Sequence, residues 1–145
     1  KNTGTRAIRT TVYNHNFLVL DKQVTGPDFV ITAPFPIRTK RRPDRSLAEI
    51  RGNQVFYLKT LEDRDTVYFR IEGFGDSSKD HEIRIENRKR GAGVRITADR
   101  PLSAASLWSI RTVISMEPFI SIAVEPGQEF AWTSRYEYYT LAGGS

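Results

Sequence analysis

His15 and Glu117 lie far apart in the chain, and together they have the chemistry of an acid and a base. Imidazole changes its charge near neutral pH and a carboxylate is a weak base, so neither group needs a metal or a cofactor to move a proton. If both side chains face one cavity, they can take a proton from one substrate atom and give one to another. The residues alone leave an alternative open, in which the histidine is a hydrogen-bonded structural residue and the carboxylate is a solvated strand end.

The segment that carries Glu117 predicts a β-hairpin with one heavily apolar face. A short apolar run over 119–124 indicates a strand, with Glu117 at its start and the ring of Pro118 stiffening the backbone directly behind it. The dipeptide Pro126-Gly127 is typical of a turn, and an alternating segment follows it. The aromatic face of that segment carries Phe130, Trp132, Tyr136 and Tyr138. We therefore expect strands 119–124 and 130–138 to pair across the turn.

Alternating apolar and polar residues predict short strands along most of the remaining chain, with turn residues between them at intervals of about 8–12 residues. The predicted strands are 5–13, 29–32, 54–60, 66–73, 81–86, 94–97 and one or two within 102–114. A loop over 62–65 is expected to join two of these strands as a hairpin, and Ser46 is expected to cap one helical turn over 46–49. The predicted fold class is all-β, an antiparallel β-sandwich that forms a single domain over residues 1–145.

The net charge of +5 and the pI near 9.7 raise the question of a nucleic-acid partner. Much of the positive charge comes from two short clusters, 38–45 and 88–90, which lie beside the turn-forming residues Pro43 and Gly91. Surfaces that bind nucleic acids carry their charge along one face with aromatic residues interleaved, or belong to a recognisable module. Neither pattern is present, so we interpret both clusters as solvated loops and expect no nucleic-acid partner.

Composition argues against several other classes of protein. The chain has no cysteine, which excludes a disulfide framework and a thiolate metal site. No spacing of histidine, aspartate and glutamate indicates a metal site, and no glycine-rich loop indicates a bound nucleotide. No apolar run approaches the roughly 20 residues that a membrane-spanning helix needs. We therefore expect no metal, no cofactor and no membrane partner, and the sequence leaves the cellular compartment open.

Four segments resemble aldose 1-epimerases, the galactose mutarotases, and they occur in that family's order. The stretch Asn14-His-Asn-Phe-Leu-Val-Leu20 resembles the family's Asn-His-Ser-Tyr-Phe-Asn-Leu. Asp80-His81 is similar to an Asp-His pair that precedes a strand, and residues 101–108 resemble a strand with Pro at its start and Tyr near its end. Glu117, followed by Pro126-Gly-Gln-Glu129 and an aromatic strand, looks like the C-terminal segment of the family. Together the four segments span most of the chain.

The resemblance implies a fold, a reaction and a set of site residues. The fold is a β-supersandwich with an open sugar-binding face. In the reaction a glutamate takes the proton of the anomeric hydroxyl while a histidine protonates the ring oxygen, so that the ring opens and closes on the other face. Glu117 would then be the base and His15 the acid, without a metal or a cofactor. The residues expected to contact the sugar ligand are Asp80, Trp108, Asn14 and Phe17.

Departures from the family pattern indicate a divergent member. Val19 stands where the family has Asn, Leu18 stands where it has an aromatic residue, and Pro118 follows Glu117. Members of the family are also about twice as long, so we expect this chain to be the C-terminal portion of a longer mutarotase-like domain. Its exposed strand edges would then pair with the N-terminal half or with a second chain. The alternative is a β-sandwich that binds carbohydrate, or serves a structural role, without catalysis.

Overall fold

The computed structural model describes residues 1–142, which fold into ten β-strands and one 3₁₀ turn over Ser78–His81. The strands are β1 Ile8–Tyr13, β2 Phe29–Thr32, β3 Ala48–Arg51, β4 Gln54–Tyr57, β5 Val67–Ile71, β6 Ile83–Asn87, β7 Ala92–Ala98, β8 Ala104–Ser109, β9 Ile114–Val124 and β10 Ser134–Thr140. Within the described range, no helix has the length and apolar character needed to cross a membrane. The predicted all-β fold class is confirmed.

The strands form two sheets, and every strand pair is antiparallel. The first sheet has the order β1-β9-β8-β5, and the second has the order β10-β7-β6-β2-β4-β3. Inward-facing side chains of both sheets meet in one buried cluster, to which the first sheet contributes Phe69, Leu107 and Met116 and the second contributes Ile31 and Ile85. This alternation of buried and exposed residues along each strand is what an antiparallel sandwich requires.

One buried hydrogen bond links the two sheets through the core. The hydroxyl of Tyr57, on β4 of the second sheet, donates to the Oγ of Ser109, on β8 of the first sheet, over 2.8 Å. Burial raises the pKa of the Tyr57 phenol above its usual value, so the phenol stays protonated and acts as the donor. Because both groups are buried, each depends on the other to satisfy its polar atoms.

The predicted hairpin around the Pro126-Gly127 turn is wrong. The turn itself forms, with Gly127 at φ 80° and the amide of Gln128 donating to the carbonyl of Glu125 over 3.0 Å. However, β9 pairs with β1 and β8, whereas β10 pairs with β7 in the second sheet and begins only at Ser134. The turn therefore leads the chain from one sheet to the other. Alternation identified a strand in this segment but carried no information about its partner.

Two further local predictions are also wrong. Strands β4 and β5 do not form a hairpin, because β4 pairs with β2 and β3 while β5 pairs with β8. Ser46 does not cap a helical turn, since the carboxylate of Asp44 instead accepts hydrogen bonds from the backbone amide and the hydroxyl of Ser46. This turn brings Leu47 and Ala48 into the core and starts β3 at Ala48. Burial of two apolar side chains outweighed a weak local helical signal.

Candidate active site

The outer face of the first sheet carries polar and aromatic side chains on its two central strands. Successive side chains of a strand point to opposite faces, so Leu107 of β8 packs in the core while Ser106 and Trp108 point outward. On β9, Ser115 and Glu117 point outward in the same way. The register places Ser106 opposite Glu117 and Trp108 opposite Ser115. These four side chains therefore form two neighbouring pairs on one surface.

Residues 14–17, which follow β1, form an arch over this surface. Strand β1 ends at Tyr13, opposite Phe119, and the chain rejoins β9 at Leu18. There the backbone groups of Leu18 and Ile114 exchange two hydrogen bonds of 2.9 and 3.1 Å. Residues 14–17 have no such pairing and stand off from the sheet. The two anchors on either side determine where the arch crosses β9.

Pro118 lies in the stretch of β9 beneath the arch. Proline lacks a backbone N–H and is tolerated in a sheet only where a ladder hydrogen bond is absent. The ladder between β1 and β9 stops at Phe119, so the strand can accommodate Pro118 at this point. The sequence predicts Glu117 at the mouth of a strand, and this prediction is wrong. Strand β9 begins at Ile114, so Glu117 lies inside the strand, and the strand residues before and after it fix its position.

The arch brings the imidazole of His15 into direct contact with the carboxylate of Glu117. The Nε2 of His15 lies 3.1 Å from Oε1 of Glu117, and the two side chains are 38% and 10% exposed. The hydroxyl of Ser106 donates to the other carboxylate oxygen, Oε2, over 2.7 Å. The hydroxyl of Ser115 lies 3.1 Å from Nδ1 of His15. The four side chains thus form one hydrogen-bonded series, Ser106–Glu117–His15–Ser115, in which the imidazole is the most exposed group.

This chain of contacts fits a proton on Nε2 of His15. An ionised carboxylate has only acceptors, so Nε2 must carry the proton that lies between His15 and Glu117. In the neutral imidazole Nδ1 is then an acceptor and receives the hydroxyl proton of Ser115, whereas in the imidazolium Nδ1 donates to the same hydroxyl. A serine hydroxyl can play both parts because it rotates. The site therefore accommodates both charge states of His15 without losing a hydrogen bond.

Aromatic rings surround the imidazole on the open side. The centroid of the His15 ring lies 5.0 Å from that of Phe17 and 5.5 Å from that of Trp108, both edge to face. Tyr13 stacks on Phe119 at a centroid distance of 4.2 Å and extends the aromatic surface along β1. Phe17 is 62% exposed. Flat apolar faces thus lie beside hydrogen-bonding groups, a combination that is typical of small-molecule sites.

The structure brings together most of the residues that the sequence singled out. His15 and Glu117 are in contact, Phe17 and Trp108 pack on His15, and Asn14 precedes it in the arch with a half-buried side chain.

Asp80 is not brought to this site. It lies in the 3₁₀ turn that leads into β6 of the second sheet, and its Oδ2 accepts a 2.6 Å hydrogen bond from the amide of Gly75. Its neighbour His81 is buried, with Nδ1 3.0 Å from the carbonyl oxygen of Arg100. We therefore assign Asp80 no part in the site that the other residues form.

Sequence reasoning missed the two serines that hold the pair. Ser115 lies two positions before Glu117, so the period of a strand was enough to place both on one face. Ser106 and Trp108 have the same spacing. Nothing in the sequence indicated that β8 and β9 are neighbours in the register that joins Ser106 to Glu117.

Comparisons with protein-family models, curated proteins and solved structures found no match to this chain. The resemblance to aldose 1-epimerases thus depends on the four segments alone. Two of them, those of His15 and Glu117, meet in the site, and a third supplies Trp108 beside them. The fourth, with Asp80, lies elsewhere. Within residues 1–142, no three histidine, aspartate or glutamate side chains are grouped as metal ligands would be.

Proposed function

We propose that the chain interconverts the anomers of an aldose by acid–base opening and closing of the sugar ring, with Glu117 as base and His15 as acid. The observation that carries the proposal is the 3.1 Å contact between the partly exposed imidazole of His15 and the buried carboxylate of Glu117, beside the rings of Phe17 and Trp108. The resemblance to aldose 1-epimerases supports the same roles for the same two residues. The proposal requires nothing beyond side chains that are present in the site.

The closeness of His15 and Glu117 suits this reaction in particular. Ring opening removes a proton from the anomeric hydroxyl and adds one to the ring oxygen, and both oxygens are bonded to the same carbon. The base and the acid must therefore stand side by side and cannot face each other across a wide cleft. An arriving sugar would insert its two oxygens between Nε2 of His15 and Oε1 of Glu117, replacing their hydrogen bond with two to the substrate.

The proton transfers balance within the pair. The carboxylate of Glu117 accepts the hydroxyl proton, the electrons of that O–H bond form the carbonyl, and the bond from the anomeric carbon to the ring oxygen breaks. The ring oxygen takes its proton from the imidazolium of His15. After rotation about the bond next to the aldehyde, the same steps in reverse close the ring on the other face and restore both groups. Ser106 and Ser115 keep the two groups oriented throughout.

A second candidate function is carbohydrate binding without turnover. It is favoured by the number of aromatic rings exposed on the outer face of the first sheet, since Tyr13, Phe17 and Tyr68 are 42%, 62% and 51% exposed. Exposed aromatic rings on a sheet provide stacking surfaces whether or not an acid–base pair lies among them. Such a module would bind a sugar saturably and would leave the rate of anomer exchange unchanged.

The test is the rate of anomer exchange, measured by NMR exchange spectroscopy or polarimetry over a panel of aldoses. We expect the protein to accelerate exchange, and Glu117→Gln to reduce that acceleration by about 10²–10⁴-fold, the usual contribution of a positioned proton-transfer group. Glu125→Gln is the matched control, because Glu125 is an exposed partner of Arg9 away from the site. Full activity of Glu117→Gln would refute the role of Glu117 as the base. Saturable sugar binding without exchange in the unmodified protein would establish the second candidate.

A further inference from the structure

Arg70 stands in the same cross-strand row as the acid–base pair. On the outer face of the first sheet, the register places Arg70 of β5 opposite Ser106 of β8, and Ser106 opposite Glu117 of β9. Two strand spacings separate the backbones of Arg70 and Glu117, a distance of about 10 Å. The Arg70 guanidinium carbon lies 6.0 Å from the ring centroid of Phe119, which also belongs to β9. The side chain therefore reaches back across β8 toward the pair.

An open hollow of about 720 Å³ lies beside Arg70, between the edge strand β5 and the segment 39–44. Its lining includes Tyr68 and Arg70 from β5 and the basic segment 39–42. The backbones of Arg38 and Glu72 exchange two hydrogen bonds of 2.8 Å, which hold that segment beside the strand. The hollow is within the usual range of ligand pockets, about 300–1,000 Å³. It continues the surface of the acid–base site, because Tyr68 lies opposite Trp108 in the register.

The charges around the hollow are mainly positive. Two carboxylates line it, and both are engaged: Glu72 lies 3.7 Å from Nζ of Lys40, and Asp44 accepts hydrogen bonds from Ser46. The other charged residues that line the hollow are Arg41, Arg42 and Arg70. Within residues 1–142, no carboxylate forms an ion pair with any of these three guanidinium groups. Guanidinium groups bind phosphate and carboxylate in a two-pronged geometry, so the hollow favours an anion.

We infer that the substrate is an anionic sugar, with a phosphate or carboxylate group at the end remote from its anomeric carbon, bound by Arg70 beside a hollow that Arg41 and Arg42 also line. The inference deepens the proposed function and rests on it. With the anomeric carbon at His15 and Glu117, a sugar ring lies over Ser106 and Trp108, and a substituent on its far side reaches the Arg70 guanidinium. The charged group then fixes which end of the sugar enters the acid–base pair.

The test compares each neutral aldohexose with its own 6-phosphate and its own uronate, in the gluco and galacto series. Anomer exchange is measured by NMR and divided by the uncatalysed rate of each sugar. We expect kcat/KM for one of the anionic sugars to exceed that for its neutral parent by about tenfold or more, as charge-assisted hydrogen bonds provide. A preference for the 6-phosphate identifies a phosphate subsite, and a preference for the uronate identifies a carboxylate subsite. Equal or faster turnover of the neutral sugar would overturn the inference while leaving the proposed function in place.

Substitutions distinguish a specific anion-binding subsite from a general electrostatic attraction of anionic sugars to a basic protein. Arg70→Gln should lower the ratio of anionic to neutral turnover by about tenfold. Arg70→Lys keeps the charge but loses the planar guanidinium group, so its ratio should lie between those of the unmodified protein and Arg70→Gln. Arg135→Gln is the matched control, because it removes the same charge from β10 of the other sheet and should leave the ratio unchanged. If Arg135→Gln lowers the ratio as much as Arg70→Gln, the preference is a property of net charge and the subsite is refuted.

Binding to the Glu117→Gln variant separates this inference from the proposed function. The affinity of that variant for the anionic sugars is followed by NMR chemical shifts, with and without the additional Arg70→Gln change. If anionic sugars bind to Glu117→Gln in a way that depends on Arg70, while the unmodified protein accelerates the exchange of no aldose, the proposed reaction is refuted and the subsite is supported. Absence of binding, together with absence of any anionic preference in turnover, would refute the subsite.

Discussion

The Nε2 atom of His15 lies 3.1 Å from Oε1 of Glu117, although the two residues belong to segments that are remote in the chain. The contact results from two anchors on β9, at Phe119 and at Ile114, between which the arch carries the imidazole over the sheet. The carboxylate itself is held by a strand interior and by the Ser106 hydroxyl. Both side chains are therefore restricted in position, and in the reaction that we propose such restriction favours proton transfer.

Ser106 is predicted to act as a positioning residue for the carboxylate. Its hydroxyl is buried and donates to Oε2 of Glu117, which leaves Oε1 to face His15 and, in our proposal, the substrate. Because a hydrogen bond to a charged group contributes about 1.5–3 kcal/mol, Ser106→Ala should lower kcat for anomer exchange by about 10–100-fold. KM should change little, since the Ser106 hydroxyl is buried, donates to Glu117 and forms no hydrogen bond with the sugar in our proposal. The kinetic constants are measured by NMR exchange at several sugar concentrations.

A matched control for this prediction lies on the same face of the sheet. Ser121 is an exposed residue of β9, two outward-facing positions beyond Glu117, and Ser121→Ala removes an identical group. It should leave both kinetic constants unchanged. A rise in KM with unchanged kcat in Ser106→Ala would contradict a positioning role, because it would mean that Ser106 contributes to binding alone.

Local patterns and residue chemistry predicted much of this protein, and strand pairing accounts for the hairpins that were predicted wrongly. Strand β2 has the predicted bounds, because its apolar run is bounded by turn residues on both sides. The hairpin between β9 and β10 failed, since alternation is a local property whereas the partner of a strand is chosen by contacts remote in sequence. For the same reason the sequence could name His15 and Glu117 but could not place Ser106 beside the carboxylate.

The hydrogen bond from Tyr57 to Ser109 is predicted to couple the stabilities of the two sheets. Tyr57→Phe removes the donor and leaves Ser109 buried without its partner, so we expect a loss of about 1–3 kcal/mol in the free energy of unfolding. Adding Ser109→Ala should recover part of that loss, because no buried hydroxyl is then left unpaired. Urea denaturation of both single variants and the double variant measures the coupling. Strictly additive effects would show that the bond contributes nothing beyond the two separate side chains.

The buried His81 is predicted to make the protein less stable as the pH falls below neutrality. Burial lowers the pKa of His81, an effect that the hydrogen bond to the Arg100 carbonyl and the charge of Asp99 oppose only in part. With Nδ1 as the donor to that carbonyl, protonation would add an N–H at Nε2, a buried atom that has no hydrogen-bond partner within residues 1–142. The neutral imidazole is therefore the form that the folded protein favours.

The direction of the pH effect follows from this difference between the two states. His81 has its ordinary pKa, about 6.5, in the unfolded chain and a lower one in the folded protein, so the unfolded chain binds more protons. The contribution to stability is complete above about pH 6.5 and is lost as the pH falls toward the folded pKa, with a slope of up to about 1.4 kcal/mol per pH unit. Urea denaturation between pH 8 and pH 5 measures it. His81→Gln keeps a donor but cannot titrate, so its stability should fall less steeply; an unchanged slope would contradict the assignment.

Gly93 is predicted to be intolerant of any side chain because a tyrosine covers it. The register places Gly93 of β7 opposite Tyr139 of β10, and a Cβ at Gly93 would lie 2.6 Å from Cζ of the Tyr139 ring. The ring extends across β7, and its hydroxyl donates to Oε1 of Glu86 on β6 over 2.8 Å. Burial and the Glu86 carboxylate raise the pKa of Tyr139 to about 12, so this hydroxyl remains a donor at neutral pH.

Gly93→Ala should therefore displace the ring of Tyr139 and break its hydrogen bond to Glu86. We expect a loss of about 1–3 kcal/mol in the free energy of unfolding, the usual cost of forcing an added methyl group into a packed site. Tyr139→Phe, which removes the hydroxyl alone, should cost less, and Tyr139→Ala should remove the clash, so that adding Gly93→Ala to it has little further effect. Thermal and urea denaturation measure the stability of the four variants. If Gly93→Ala destabilises the protein equally when residue 139 is alanine, the loss arises from the backbone of β7 and the predicted clash with the tyrosine ring is contradicted.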